Sequence, residues 1–153
     1  MIIPDINVLI YAYDSESPFH EQALTWWQNC LSGTEPVGLV PVVLFGFVRV
    51  STSPRAFRHP MATTEATGHL RSWLGQPIAQ MLTPSAQHVE QVVGLLDQIG
   101  TAGNLVTDAQ IAAVAIEYDA TVHTSDTDFV RFPGVRWLNP ISGIGSRTLR
   151  KAP

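Results

Sequence analysis

Long apolar runs, paired cysteines and lysines are what this 153-residue chain has least of. No stretch of about 18 apolar residues occurs, so no membrane span is expected. The N-terminus carries no basic region, and Asp5 interrupts the first apolar run, so it does not read as a signal peptide. Cys30 is alone, which excludes an internal disulfide and a thiol-rich metal site. The cytoplasm is therefore the default compartment. No Gly-x-Gly-x-x-Gly, Walker-type loop or Gly-x-Ser-x-Gly elbow is present, which disfavours dinucleotide, ATP and serine-hydrolase chemistry. The five histidines show no zinc-ligand spacing.

Charged residues make up only 14% of the chain and the net charge is −4, which argues weakly against a broad nucleic-acid surface. The few cations are clustered, however, and almost all are arginine. Arg49, Arg55 and Arg58 lie near His59, and Arg131, Arg136, Arg147, Arg150 and Lys151 form a second group. Arginine suits bidentate phosphate contacts better than lysine does, although the favoured reading of any single one of these is solvated surface charge.

Short apolar runs alternate with helical periodicity, the pattern of βαβ units and a parallel sheet. Strands are expected at Met1–Pro4, Val37–Val40, Ile78–Leu82, Thr121–His123 and Val135–Leu138. Helices are expected at Asn7–Tyr13, His20–Leu31, Pro41–Val50, Thr63–Leu74, Ala86–Ile99 and from Thr107 or Asp108 to Tyr118. The reading is one α/β domain over residues 1–142, a three-layer α/β/α sandwich around a four- or five-stranded parallel sheet, followed by a mobile tail over 143–153.

Four acids sit at the ends of these elements. Asp5 ends the first strand, Asp108 opens a helix, and Asp126 and Asp128 follow the strand Thr121–His123. If those strands are neighbours, the carboxylates converge and repel, and a hard divalent cation such as Mg²⁺ relieves them. Such ions usually work on phosphate esters. Each acid also has a plainer role. Asp5 can be a helix cap, Asp108 or Thr107 can cap its own helix, and Asp-x-Asp occurs in many turns. Asp126 is favoured over Asp128 as the inner group. Asn7 can hold a neighbouring ligand or merely satisfy a turn. Thr124 and Ser125 can orient carboxylates or bond locally. His123, inside a strand, reads as packed or hydrogen-bonded. Of Trp26 and Trp27, adjacent on one helix, one ring is expected in the core and the other outside it.

Three stretches carry a family resemblance. Asp5-Ile6-Asn7-Val8-Leu9-Ile10-Tyr11-Ala12, Thr107-Asp108-Ala109-Gln110-Ile111-Ala112-Ala113 and Thr124-Ser125-Asp126-Thr127-Asp128-Phe129 resemble the signature blocks of PIN-domain ribonucleases. Gly46-Phe47-Val48-Arg49 with Ser53-Pro54-Arg55-Ala56-Phe57 is similar to one branch of the VapC toxins of bacterial toxin–antitoxin pairs. The resemblance implies a Mg²⁺- or Mn²⁺-dependent endoribonuclease acting on a structured RNA such as tRNA or ribosomal RNA. It also implies a homodimer and a cognate VapB-type antitoxin. It matches Asp5, Asp108 and Asp126 to catalytic, metal-holding acids and Asn7 to the polar residue beside the first. Arg49, Arg55 and Arg58 are then expected to grip the RNA backbone.

There is one departure from the family pattern. Many PIN nucleases carry a Glu on the helix after the second strand, where this chain has Gly46. A mid-helix glycine suggests close approach of another group. The missing acid also leaves open a second reading, a PIN-like module that binds RNA or a partner without cutting. A third, an aspartyl phosphatase, is weakened because Asp5-Ile6-Asn7 lacks the second acid of the usual Asp-x-Asp.

Overall fold

The computed structural model describes residues 1–146. Five three-residue strands form one parallel sheet: β1 (Ile2–Pro4), β2 (Val37–Leu39), β3 (Ala79–Met81), β4 (Thr121–His123) and β5 (Arg136–Leu138). Their spatial order is β3-β2-β1-β4-β5. Six α-helices complete a three-layer α/β/α arrangement: α1 (Ile6–Tyr13), α2 (His20–Ser32), α3 (Pro41–Ser51), α4 (Thr63–Leu74), α5 (His88–Ile99) and α6 (Leu105–Glu117). No helix among the described residues is long and apolar enough to cross a membrane.

The expected strands and helices all occur. β1 and β2, inside the parallel sheet, are buried throughout, whereas the edge strand β3 is exposed at Gln80 and Met81. Pro4 is tolerated because it is the last residue of β1. Pro41 opens α3 at the position where a missing N–H has no partner to lose. On the α1–α4 side the core is aromatic, with Trp27 and Trp73 edge to face at 5.4 Å and Phe47 4.9 Å from Trp73. Trp27 is the core ring of its pair, and Trp26 is only partly buried, as expected. The Trp26 Nε1–H donates to His123 Nδ1 at 3.0 Å, so His123 is indeed packed and hydrogen-bonded.

Two expectations change. Neither Thr107 nor Asp108 caps α6, which begins earlier, at Leu105, after Asn104. Gly103, at φ 61°, makes the turn, and the first helical N–H groups of Leu105 and Val106 bond back to the Ala102 and Gly103 carbonyls. Asp108 thus lies in the first turn with its carboxylate free of capping. The start of the expected mobile tail is also structured. The Asn139 N–H donates to the Ile144 carbonyl at 2.7 Å, and Gly145 pairs with Leu138 at the end of β5. The remainder of that tail, 147–153, with Arg147, Arg150 and Lys151, lies outside the described residues.

Candidate functional site

Strand order explains how acids far apart in sequence meet. β2 and β3 lie on one side of β1, and β4 and β5 on the other. The C-terminal ends of β1 and β4 therefore flank the point where the chain changes direction, the usual ligand crevice of an open α/β sheet. Pro4 pairs with His123, and the Asp5 N–H donates to the His123 carbonyl at 2.9 Å. This register sets Asp5 beside Thr124.

Thr124 is the hub. It is fully buried, at 0% exposure. Its hydroxyl donates to Asp5 Oδ2 at 2.7 Å and accepts from Asn7 Nδ2 at 3.2 Å and from the Asp126 N–H at 2.9 Å. One donor and two acceptor positions are all a hydroxyl has. Asn7 closes the ring, its Oδ1 accepting from the Ser125 N–H at 3.3 Å. The sequence suggested local turn bonding as an alternative for Thr124; it does bond locally, and it also ties β1 to β4.

Asp5 caps α1 and belongs to the cluster at once. Oδ1 accepts from the Ile6 N–H at 2.6 Å, and the positive end of the helix favours its charge. Yet Asp5 is only 4% exposed. Burial, and to a lesser degree the charge of Asp126, pushes its carboxyl up to about 6, against the hydrogen bonds from Thr124 and Ile6. Asp108 is raised to about 7, first by burial and then by Asp5, Asp126 and Asp128. Asp5, Asp126 and Asp128 are thus all within electrostatic reach of Asp108. Asp126 accepts from the Asp128 N–H at 2.8 Å, capping the short 3₁₀ turn Thr127–Arg131. Asp128 is the outer residue, with a 47% exposed side chain 3.8 Å from Arg131.

The donor set is thus a group of hard carboxylate oxygens with little compensating charge. Among the described residues, no cationic side chain is paired with Asp5, Asp108 or Asp126. That chemistry fits a hard divalent cation. Among the same residues, no three His, Cys, Asp or Glu side chains are gathered as a ready-made metal cage. An ion there would have to be held by one or two carboxylates, with water filling its other positions.

The arginines are placed differently. Arg49, on the last turn of α3, and Arg55 and Arg58, on the segment after it, are exposed and unpaired with the acids. Arg136 is occupied elsewhere, at 2.7 Å from Asp119, at the start of β5 and so at the opposite edge of the sheet. The residue the sequence did not single out is Ile6. A Cβ on Gly46 would stand 2.2 Å from Ile6 Cδ1, so Ile6 fills the space into which a side chain from α3 would project. The one hint was the glycine itself.

The PIN-domain family model matches residues 2–135. The chain belongs to the PIN-domain family. Within it, the protein is 47% identical over 141 residues to a Mycobacterium tuberculosis protein named Ribonuclease VapC33, covering 92% of this chain and 99% of that one. Two solved structures share the PIN fold. VapBC2 from Rickettsia felis, bound to a DNA fragment from its promoter, aligns with a TM-score of 0.61 and 22% identity over 90% of this chain and 97% of that one. VapC20 of M. tuberculosis, described as a sarcin-ricin loop cleaving toxin, aligns with a TM-score of 0.66 and 18% identity over 85% and 93%.

Proposed function

We propose that this PIN-domain protein is a metal-dependent endoribonuclease, the toxin of a type II toxin–antitoxin pair. The observation that carries the proposal is the Thr124-centred convergence of Asp5, Asn7 and Asp126, within electrostatic reach of Asp108, in a chain whose 47% identical relative is named a ribonuclease. Asp5 and Asp108 supply oxygen ligands to Mg²⁺, for which Mn²⁺ can substitute. Asp126, with Asp128 outside it, completes the site and positions the attacking water. Such a cation, when bound, would make a bound water easier to deprotonate and would offset charge building on the phosphate. Asn7, Thr124 and Ser125 hold the acids in place, and Arg49, Arg55 and Arg58 attract the RNA backbone.

The substrate class is a structured RNA, tRNA or ribosomal RNA. The partners are a second copy of the chain and a VapB-type antitoxin that covers the site, and the working compartment is the cytoplasm. A second reading has its own support. Ile6 fills the place of an α3 acid, as expected of a PIN-like module that binds RNA or a partner without cutting it.

Induced expression followed by mapping of new RNA 5′ ends separates the two. Growth arrest with one dominant cut is expected, and both should vanish in Asp108→Asn. Bound RNA with unchanged 5′ ends would leave the binding module as the answer.

A further inference from the structure

A cavity of about 160 Å³ lies apart from the acids, between the C-terminal end of α1, the last turns of α3 and the segment after α3. It is smaller than the roughly 300–1,000 Å³ that holds drug-sized ligands, which suits one flat heterocycle. Tyr13 and Phe57 contribute aromatic wall, backed by the fully buried Phe47, and Glu16, Arg58 and His59 add polar and charged lining.

The wall is preorganised. The Tyr13 hydroxyl accepts from Trp73 Nε1–H at 2.9 Å, and its ring meets Phe47 edge to face at 5.7 Å. The turn carrying Glu16 is fixed too, because the Glu16 N–H donates to Asp14 Oδ1 at 3.0 Å. Among the described residues, no hydrogen bond or ion pair engages the Glu16 carboxylate or the Arg58 guanidinium. A rigid aromatic surface with unspent polar groups binds at low entropic cost.

We propose that this cavity receives one unpaired guanine of the RNA substrate, a specificity pocket that rests on the endoribonuclease reading above. RNA-binding proteins commonly stack splayed bases on aromatic rings and read their Watson–Crick edges. Guanine presents two adjacent N–H donors on that edge, which one carboxylate accepts together. Adenine and uracil each set an acceptor beside their donor and meet Glu16 with repulsion. Arg58 and His59 face the phosphates of the same nucleotide. Asp5 and Asp14 cap opposite ends of the eight-residue α1 and the cavity is lined from Ile10 onward, so it lies within one helix length, about 12 Å, of Asp5. A strand spans that in roughly two to four nucleotides, depending on how far it is unstacked. The guanine therefore sits a fixed, short distance from the cut.

The test combines mononucleotide titration with cut-site sequencing, both on the full chain. Guanosine 5′-monophosphate should shift the NMR signals of Tyr13 and Phe57, with adenosine and uridine monophosphates binding more weakly. Glu16→Gln should weaken guanosine monophosphate binding about tenfold. Cuts by the wild type should cluster a fixed short distance from a guanine, and Glu16→Gln, on the exposed rim, should blur that preference. Phe57→Ala provides an independent check through the wall. Shifts elsewhere, equal binding of all three nucleotides, or cuts indifferent to guanine would each overturn the pocket while leaving the nuclease standing. A protein side chain as the true occupant would show as no mononucleotide binding, with Tyr13 and Phe57 protected only when a partner protein is added. If the wild type cuts no RNA, the nuclease reading fails, and the titration alone still decides whether the cavity binds a base.

Discussion

The side chain of Ile6 stands over Gly46, and a Cβ at residue 46 would lie 2.2 Å from Ile6 Cδ1 and 2.9 Å from Cγ1. The helix α3 thus carries a glycine in mid-run because Ile6 on α1 uses the space. An acid on α3 at this position would have to displace Ile6 first.

Two effects oppose each other in Gly46→Ala. Helix propensity favours alanine by about 1 kcal/mol, and overpacking costs about 1–3 kcal/mol. Overpacking should win, lowering stability by about 1 kcal/mol in urea unfolding. In an Ile6→Ala background the same change should become stabilising, and a double-mutant cycle measures the difference. A stabilising Gly46→Ala in the wild type would contradict the contact.

Thr124 offers a contrast between shape and hydrogen bonding. Thr124→Val keeps the volume but strands the buried Asp5 carboxylate and the Asn7 amide. A hydrogen bond to a charged group is worth about 1.5–3 kcal/mol, so a loss of about 2–4 kcal/mol is expected with the unsatisfied neighbours included. RNA cleavage should fall at least about tenfold, since 1.4 kcal/mol of misplacement suffices. Thr124→Ser retains the hydroxyl and should keep most of both. Equal behaviour of the two variants would remove Thr124 from its positioning role.

The pH dependence of stability follows from the raised carboxyls. Folded Asp108 keeps its proton up to about 7 and Asp5 up to about 6, whereas unfolded chains release theirs near 3.8. Between those values the folded state binds more protons, so stability falls as pH rises from about 4 to about 7. Thermal melts of the metal-free protein should show this decline and a plateau above it. Asp108→Asn should flatten the decline and raise the melting temperature at pH 8 while abolishing cleavage. Mg²⁺ should raise the wild-type melting temperature more at pH 8 than at pH 5. A melting temperature that rises across that window would contradict the cluster.

The architecture was readable because period and punctuation agree. Apolar runs end at Pro4, Val40 and His123, and glycines close the helices at Gly33, Gly75 and Gly100. The acids were readable as residues at strand ends, and the β1–β4 pairing supplied their convergence. The capping of α6 was misplaced because Gly103 turns the chain with backbone bonds alone, leaving no side-chain signal. Ile6 over Gly46 was legible only as an unexplained glycine, since the sequence cannot say which neighbour comes close. Nor could spacing reveal that one hydroxyl, on Thr124, would join three site residues, because that depends on register between strands separated by more than a hundred residues.

Titration calorimetry of Mn²⁺ into the purified, metal-free protein tests the central claim most directly, independently of any RNA. At pH 8 the wild type should bind the ion, and Asp5→Asn and Asp108→Asn should each weaken that binding at least tenfold, with Glu16→Gln as an unaffected control. Equal Mn²⁺ affinity in the wild type and both acid variants would show that these carboxylates do not form a cation site.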